Sequence, residues 1–195
     1  GAEASESETA AKAEGTTYKI GVLQLVQHTA LDAANDGFIA ALDDAGIAYE
    51  VDQQNASGDQ SACQTVASKF ANEKKDLILA IATPAAQAMV GAVEDTPVLI
   101  TAVTDPAESG LVDDNQKPGG NVTGTSDLTP VKEQIDLLKQ LVPEAKTVGV
   151  LYCSAESNSE IQAQMAREAV MANNTLEGLR TRILPQTTPA TANKE

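Results

Sequence analysis

Asp76-Leu77-Ile78-Leu79-Ala80-Ile81-Ala82-Thr83-Pro84-Ala85-Ala86 decides the reading of this chain, together with its echo Pro97-Val98-Leu99-Ile100-Thr101-Ala102-Val103-Thr104-Asp105-Pro106. Each is an apolar run cut off by a small polar loop. Runs apolar at every position, rather than every second one, suit strands whose sheet is covered by helices on both faces, as in a parallel α/β sheet. Ligands of such sheets bind beyond the carboxyl ends of the strands, where these two loops fall.

Outward from these runs the pattern alternates regularly. Strands are expected over 19–26, 48–53, 77–82 and 98–102, with helices over about 31–45, 60–72 and 83–93. In the first helix Leu31, Ala34, Phe38, Ala41, Leu42 and Ala45 recur at helical spacing, and Gly46 reads as a left-handed cap after its last residue. Pro84 suits the first turn of the third helix. A long Pro/Gly-containing stretch follows and leads to Asn121-Val122-Thr123-Gly124. Beyond Thr125-Ser126-Asp127 a further series begins: Thr129 as cap of a helix opening at Pro130, a strand over 147–152, and Ser157-Asn158-Ser159-Glu160 as a capping box for a helix to about Ala169.

These readings divide the chain into four parts. Residues 1–17 are rich in Ala, Glu, Ser and Thr and read as a disordered tether. Residues 18–126 form an N-terminal α/β lobe, 127–172 part of a second α/β lobe, and 173–195 an irregular tail with no clear amphipathic face.

Composition excludes several classes. The formal net charge of −15, from 28 acidic and 13 basic residues, opposes binding to nucleic acid. No stretch approaches the roughly 18 to 20 apolar residues of a membrane helix. Cys63 and Cys153 lack metal-ligand spacing and His28 has no Cys or His near it, so neither a metal nor a cofactor is expected. Cys63 lies on a predicted helix beside Ala62, Val66 and Phe70 and reads as a small buried apolar residue. No Walker loop or dinucleotide glycine fingerprint follows a strand, and Cys153 lacks the elbow glycines and a nearby base of a nucleophile, so no catalytic residue is assigned.

The loops at the strand ends, 24–31, 83–87 and 103–110, are small and hydroxylic. Helix amides after Pro84 with Thr83 and Thr104 suit a carboxylate, and Asp105 suits an ammonium group, the pattern of a zwitterionic amino acid. Asp105 before Pro106 also fits a turn residue, Thr83-Pro84 a helix cap, and His28 a loop residue without a role.

Five segments in order, 20–32, 54–60, 77–88, 101–106 and 118–127, resemble the extracytoplasmic substrate-binding family of ABC importers that includes tryptophan- and aromatic-amino-acid-binding lipoproteins. The resemblance covers about Tyr18 to Ala169. It implies a type I periplasmic-binding-protein fold with two lobes around a small ligand, delivery of an amino acid to permease subunits, no catalysis, a monomer, and an extracytoplasmic place with residues 1–16 as a lipoprotein spacer. Carried over by position, it implies that His28, Ala30 and Leu31 line the first-strand loop and that Thr83, Pro84, Ala85 and Ala86 cradle the carboxylate. Thr104 and Asp105 would add the fourth-strand contribution, and Ser154, Glu156, Ser157 and Asn158 the facing loop of the second lobe. Family members continue with further βα units, whereas residues 173–195 do not follow that continuation; a C-terminally truncated or frame-shifted product, with one strand and two helices in the second lobe, is the expectation. A sugar- or other small-molecule-binding protein of the same fold, and an α/β hydrolase or nucleotide-binding enzyme, are the alternatives.

Overall fold

The computed structural model describes residues 15–173, 176 and 178–184, the last group by backbone alone. Its elements alternate as β1 (Tyr18–Gln24), α1 (Thr29–Asp44), β2 (Tyr49–Asn55), α2 (Gln60–Glu73), β3 (Leu77–Ile81), α3 (Thr83–Val90), β4 (Val98–Val103) and β5 (Val122–Ser126), then α4 (Val131–Leu141), β6 (Thr147–Cys153), α5 (Ser157–Ala172) and β7 (Gly178–Leu184). The first five strands make one sheet in the order β2-β1-β3-β4-β5, with every pairing parallel. The strands β6 and β7 pair in a second parallel sheet.

Because the pairing is parallel throughout, the carboxyl ends of β1, β3 and β4 lie at one rim, as the apolar runs imply. Backbone bonds knit that rim: Leu25 N–H donates to the Ile81 carbonyl, Ala56 N–H to that of Gln24, and Gly58 N–H to that of Leu25. The β3 run is buried from Ile78 to Ile81, as a strand covered on both faces requires.

One face of the sheet is covered by α2 and α3 around Leu23, Cys63, Phe70, Ile78, Ile100 and Met89. On the other face α1 places Leu31 and Phe38 against Val22, Leu79 and Ile81. Ala41 and Ala45, expected on the buried stripe of α1, are exposed, because the helix touches the sheet over a narrower strip than its periodicity allows. Gly46 has φ +62° and follows the cap residue Ala45; its N–H bonds the Asp43 carbonyl and Ile47 N–H bonds that of Leu42, a Schellman ending.

Around β6, α4 and α5 pack through Ile135, Val148, Ala169 and Val170. Three expectations are corrected here. The α4 cap position is Pro130 and no side chain caps it: Thr129 takes part through its backbone carbonyl, which accepts from Val131 N–H. The α5 cap position is Glu156, which moves Ser157 to the first helical position and removes the capping box. Finally, residues 178–184 of the segment read as an irregular tail form β7, so two strands rather than one accompany the two helices. Leu179, Thr181 and Ile183 alternate with Arg180 and Arg182, a half-apolar pattern that a search for continuous apolar runs passes over. The tether reading of residues 1–14 and the rest of the tail reading lie outside the described residues. No helix among the described residues is long and apolar enough to cross a membrane, and none of their His, Cys, Asp and Glu side chains cluster as a metal would need.

Candidate functional site

The apolar run of β3 ends in a backbone that no ordinary alanine adopts. Ala82 has φ +83° and ψ 152°, a region that costs a residue with a Cβ about 1–3 kcal/mol. This turn throws the chain directly into α3, whose first residues Thr83, Pro84, Ala85 and Ala86 are all buried. The first turn of a helix presents backbone amides without helical partners and a positive dipole end, and Pro84 supplies no amide, so Thr83 and Ala85 are the donors there. Thr83 is 1% exposed and its hydroxyl has no hydrogen-bond partner, an arrangement that burial makes costly unless something polar arrives.

The loop after β4 is held beside it. Ala82 N–H donates to the Thr101 carbonyl, and Ala102 also has a positive φ, +54°, at the register shift of β4. Thr104 is buried; its carbonyl accepts from the Ser126 hydroxyl at 2.6 Å. Asp105 is half-buried and anchors its own turn: Oδ1 accepts from Glu108 N–H at 3.1 Å and from Asn115 Nδ2 at 2.8 Å, leaving Oδ2 outside those bonds.

The loop after β1 contributes less. His28 is exposed and stands at the cap position of α1, where Nδ1 accepts from Ala30 N–H at 3.2 Å; Ala30 is exposed and Leu31 is half-buried against Val22, Leu79 and Ile81. From the second unit, Ser154 is exposed, while Glu156, Ser157 and Asn158 are half-buried at the start of α5. Asn158 Oδ1 is buried and without a partner, the counterpart of the Thr83 hydroxyl on the other unit.

The two units meet through side chains that the sequence pattern does not single out. Gln87, one turn beyond Thr83, donates through Nε2 to the Ser157 hydroxyl at 3.2 Å and to the Ser109 carbonyl at 3.1 Å. Gln162 donates to the Thr104 hydroxyl at 3.4 Å and Gln60 to the Ala155 carbonyl at 3.2 Å. Thr104 and Ser157 are thus bonded across the two units, with Thr83 one turn before Gln87 and Asn158 next to Ser157, while the hydrogen bond between His28 and Ala30 is local to the start of α1. Gln60 sits beside Asp59, whose carboxylate caps α2 and is held below its ordinary pKa by hydrogen bonds from the Ser61 side chain and amide and from Ala62 N–H. A groove of about 460 Å³ between α4, α5 and β6 contains none of the residues expected to bind ligand.

A parallel α/β rim facing a second α/β unit, with orphaned polar atoms on both sides, is what comparison with known proteins bears on. Residues 19–184 match the family described as ABC transporter substrate binding protein. The chain belongs to this family. Its architecture is the type I periplasmic-binding-protein fold, and the family match runs through β7, so residues 173–184 of the tail do follow the family. A tyrosine-binding protein of Clostridioides difficile (strain R20291) is 48% identical over 159 residues, 80% of this chain and 46% of the relative. A domain from Streptococcus pneumoniae in complex with L-Trp is 40% identical, with a TM-score of 0.81 over 88% of this chain and 58% of that one. The ligand-free, open structure of a substrate binding protein with adhesive properties from Clostridium difficile is 45% identical, with a TM-score of 0.68 over 86% of this chain and 58% of that one. The chain spans about half the length of these relatives. This substrate-binding protein therefore superposes better on the tryptophan complex than on the open structure, although the latter is closer in sequence.

Proposed function

We propose that the chain is the solute-binding component of an ABC importer and holds an aromatic or apolar amino acid between its two units, residues 18–126 and those from 127 onward, for delivery to permease subunits outside the cytoplasm. The observation that carries this reading is the buried, unpartnered Thr83 hydroxyl at the opening of α3. A ligand carboxylate would accept from that hydroxyl and from the first-turn amides, with the helix dipole favouring its charge. Asp105 Oδ2 and Asn158 Oδ1 are acceptors suited to the ammonium group. Glu156 and Ser157 would close the site from α5, with Ser154 on the loop before it, and Leu31, with His28 and Ala30, would border the side chain. Nothing in this set pairs a nucleophile with a base, so binding rather than conversion is the chemistry it supports. The tyrosine-binding and tryptophan-bound relatives agree with the ligand class.

Titration calorimetry against the twenty amino acids tests the reading. Tyrosine, tryptophan or phenylalanine is expected to give saturable heat, and Thr83→Val to weaken that binding by roughly tenfold or more, the worth of one hydrogen bond to a charged group. Heat from none of the twenty with a folded sample would overturn it.

A further inference from the structure

Neighbouring parallel strands ordinarily need a helix between them, yet β4 and β5 are joined by residues 104–121 without one. The connection is tied to itself instead. Its first turn follows β4: Ser109 N–H donates to the Asp105 carbonyl and Leu111 N–H to that of Pro106, both at 2.9 Å, and Pro106, Ser109 and Leu111 are buried. Farther along, Asp114 Oδ1 accepts from Gln116 N–H at 2.7 Å and from Lys117 N–H at 2.9 Å, and Asp113 N–H donates to the Pro118 carbonyl at 3.3 Å. Asn115 lies inside this second turn, and its side chain spans back to the first. Its Nδ2 donates to Asp105 Oδ1 at 2.8 Å while its Oδ1 accepts from Ala107 N–H at 2.9 Å.

We propose that Asn115 is a positioning residue for ligand binding, fixing the Asp105 side chain so that Oδ2 is presented to the ammonium group of the ligand. This role rests on the functional reading of Asp105 as the partner of that group. A backbone N–H can only donate, so the Ala107 bond commits the Asn115 Oδ1 and leaves Nδ2 to face the carboxylate. Glu108 N–H, at 3.1 Å, reaches the same Asp105 oxygen from within the first turn. One donor would leave the carboxylate free to swing about it; two donors from different turns on one oxygen hold the group in place and leave the second oxygen outside both bonds. Ordering the acid before the ligand arrives removes that ordering cost from binding. Asn115 is exposed, so its side chain buries little apolar area and its contribution falls on orientation rather than on stability. The connection 104–121 thereby becomes part of the site.

Two measurements on the full chain test this role, and the first needs no ligand. Three-bond couplings from Asp105 Cγ to its backbone nitrogen and carbonyl carbon, read by nuclear magnetic resonance, report its χ1 rotamer. One rotamer is expected in the parent and averaged couplings in Asn115→Leu, a neutral change of similar size, with an unchanged circular dichroism spectrum. Asn115→Ser provides the same reading should leucine disturb folding. An unchanged single rotamer in the variants, or averaging in the parent, would sink the proposal. The second measurement is calorimetry, direct or by displacement, with tyrosine and tryptophan and with hydroxyphenylpropionate and indolepropionate, which keep the ring and carboxylate but lack the ammonium group. Asn115→Leu is expected to weaken the amino acids by roughly five- to tenfold, the scale of one net hydrogen bond, and the deaminated acids by less than about twofold. In an Asp105→Asn background the same change is expected to cost less than about twofold for every ligand, since no carboxylate remains to be aimed. Equal weakening of both ligand classes, or full additivity with Asp105→Asn, marks a merely structural role and overturns the positioning. If Asp105→Asn leaves the preference for amino acids over deaminated acids intact, or the parent binds none of these ligands, the functional reading fails, and the couplings still decide whether Asn115 orients Asp105.

Discussion

The α-carbon of Gly124 faces the backbone of Ile100 so closely that a Cβ on it would lie 1.9 Å from the Ile100 carbonyl oxygen and 2.7 Å from its nitrogen. These two residues are register partners in β4 and β5, immediately before the register shifts ahead of Val103. The approach is backbone against backbone, so no side chain can turn aside. Gly124→Ala is expected to push β5 off the sheet and cost roughly 2 kcal/mol or more in urea denaturation. Gly149→Ala on β6, with nothing within 4 Å, is the control and is expected to change stability by less than about 0.5 kcal/mol.

Ala82 pays for its φ of +83° with strain that glycine would not feel. Against roughly 1–3 kcal/mol of relief stands about 0.5–1 kcal/mol of extra chain entropy lost by glycine on folding. Ala82→Gly is therefore expected to raise the melting temperature by about 2–4 °C, and Ala82→Val to lower it. Scanning calorimetry of the three proteins decides the matter; a lower melting temperature for the glycine variant contradicts the strain.

Burial, aided by the Asp59 carboxylate, pushes the Cys63 thiol up to about 11, while Cys153 at the end of β6 is half-buried. The thiolate is the reactive form. At pH 8 iodoacetamide is expected to modify Cys153 while Cys63 stays unmodified until the protein is denatured, which peptide mass spectrometry reads directly. Equal labelling of both in the native state would contradict the packing around α2.

Asp52 lies among cations: Lys69 Nζ is 2.6 Å and Lys75 Nζ 3.6 Å from Oδ2. Burial pushes its carboxyl up, but hydrogen bonds from Lys69 and Gln54 and the charges of the two lysines outweigh that and hold it below the ordinary value. A carboxyl depressed in the folded state adds stability above its unfolded pKa of about 3.9 and loses it as the pH falls through the folded value. The stability gap between the protein and Asp52→Asn is thus expected to be about 1 kcal/mol and flat above roughly pH 5, and to close below roughly pH 4 in urea titrations.

How far the sequence foretells this molecule depends on the range of the interactions. Leu77–Ile81, the Pro84 turn and Gly46 are legible because burial on both faces, a fixed φ and a left-handed cap are properties of a few adjacent residues. The places of Thr83 and Thr104 just beyond β3 and β4 are legible because an apolar run that stops at a hydroxyl marks its own end. The glutamines are not: their partners lie 58 to 95 residues away, and nothing local marks a side-chain amide that will cross an interface. Ser157 misleads for the same reason. Its spacing to Glu160 suggests a cap, yet its hydroxyl is claimed by Gln87 from another unit. Asp105 satisfies the turn reading of its sequence, with one oxygen bonded in the turn and the other outside those bonds.

The strand order has a consequence for how the molecule is made. β1 lies between β2 and β3, and its partner Leu77 stands 57 residues after Ile20, so the middle of the sheet cannot close until β3 has left the ribosome. Until then a nascent chain carries Ile20, Val22 and Leu23 with one edge bare, the interval in which sticking to other chains competes with completing the sheet.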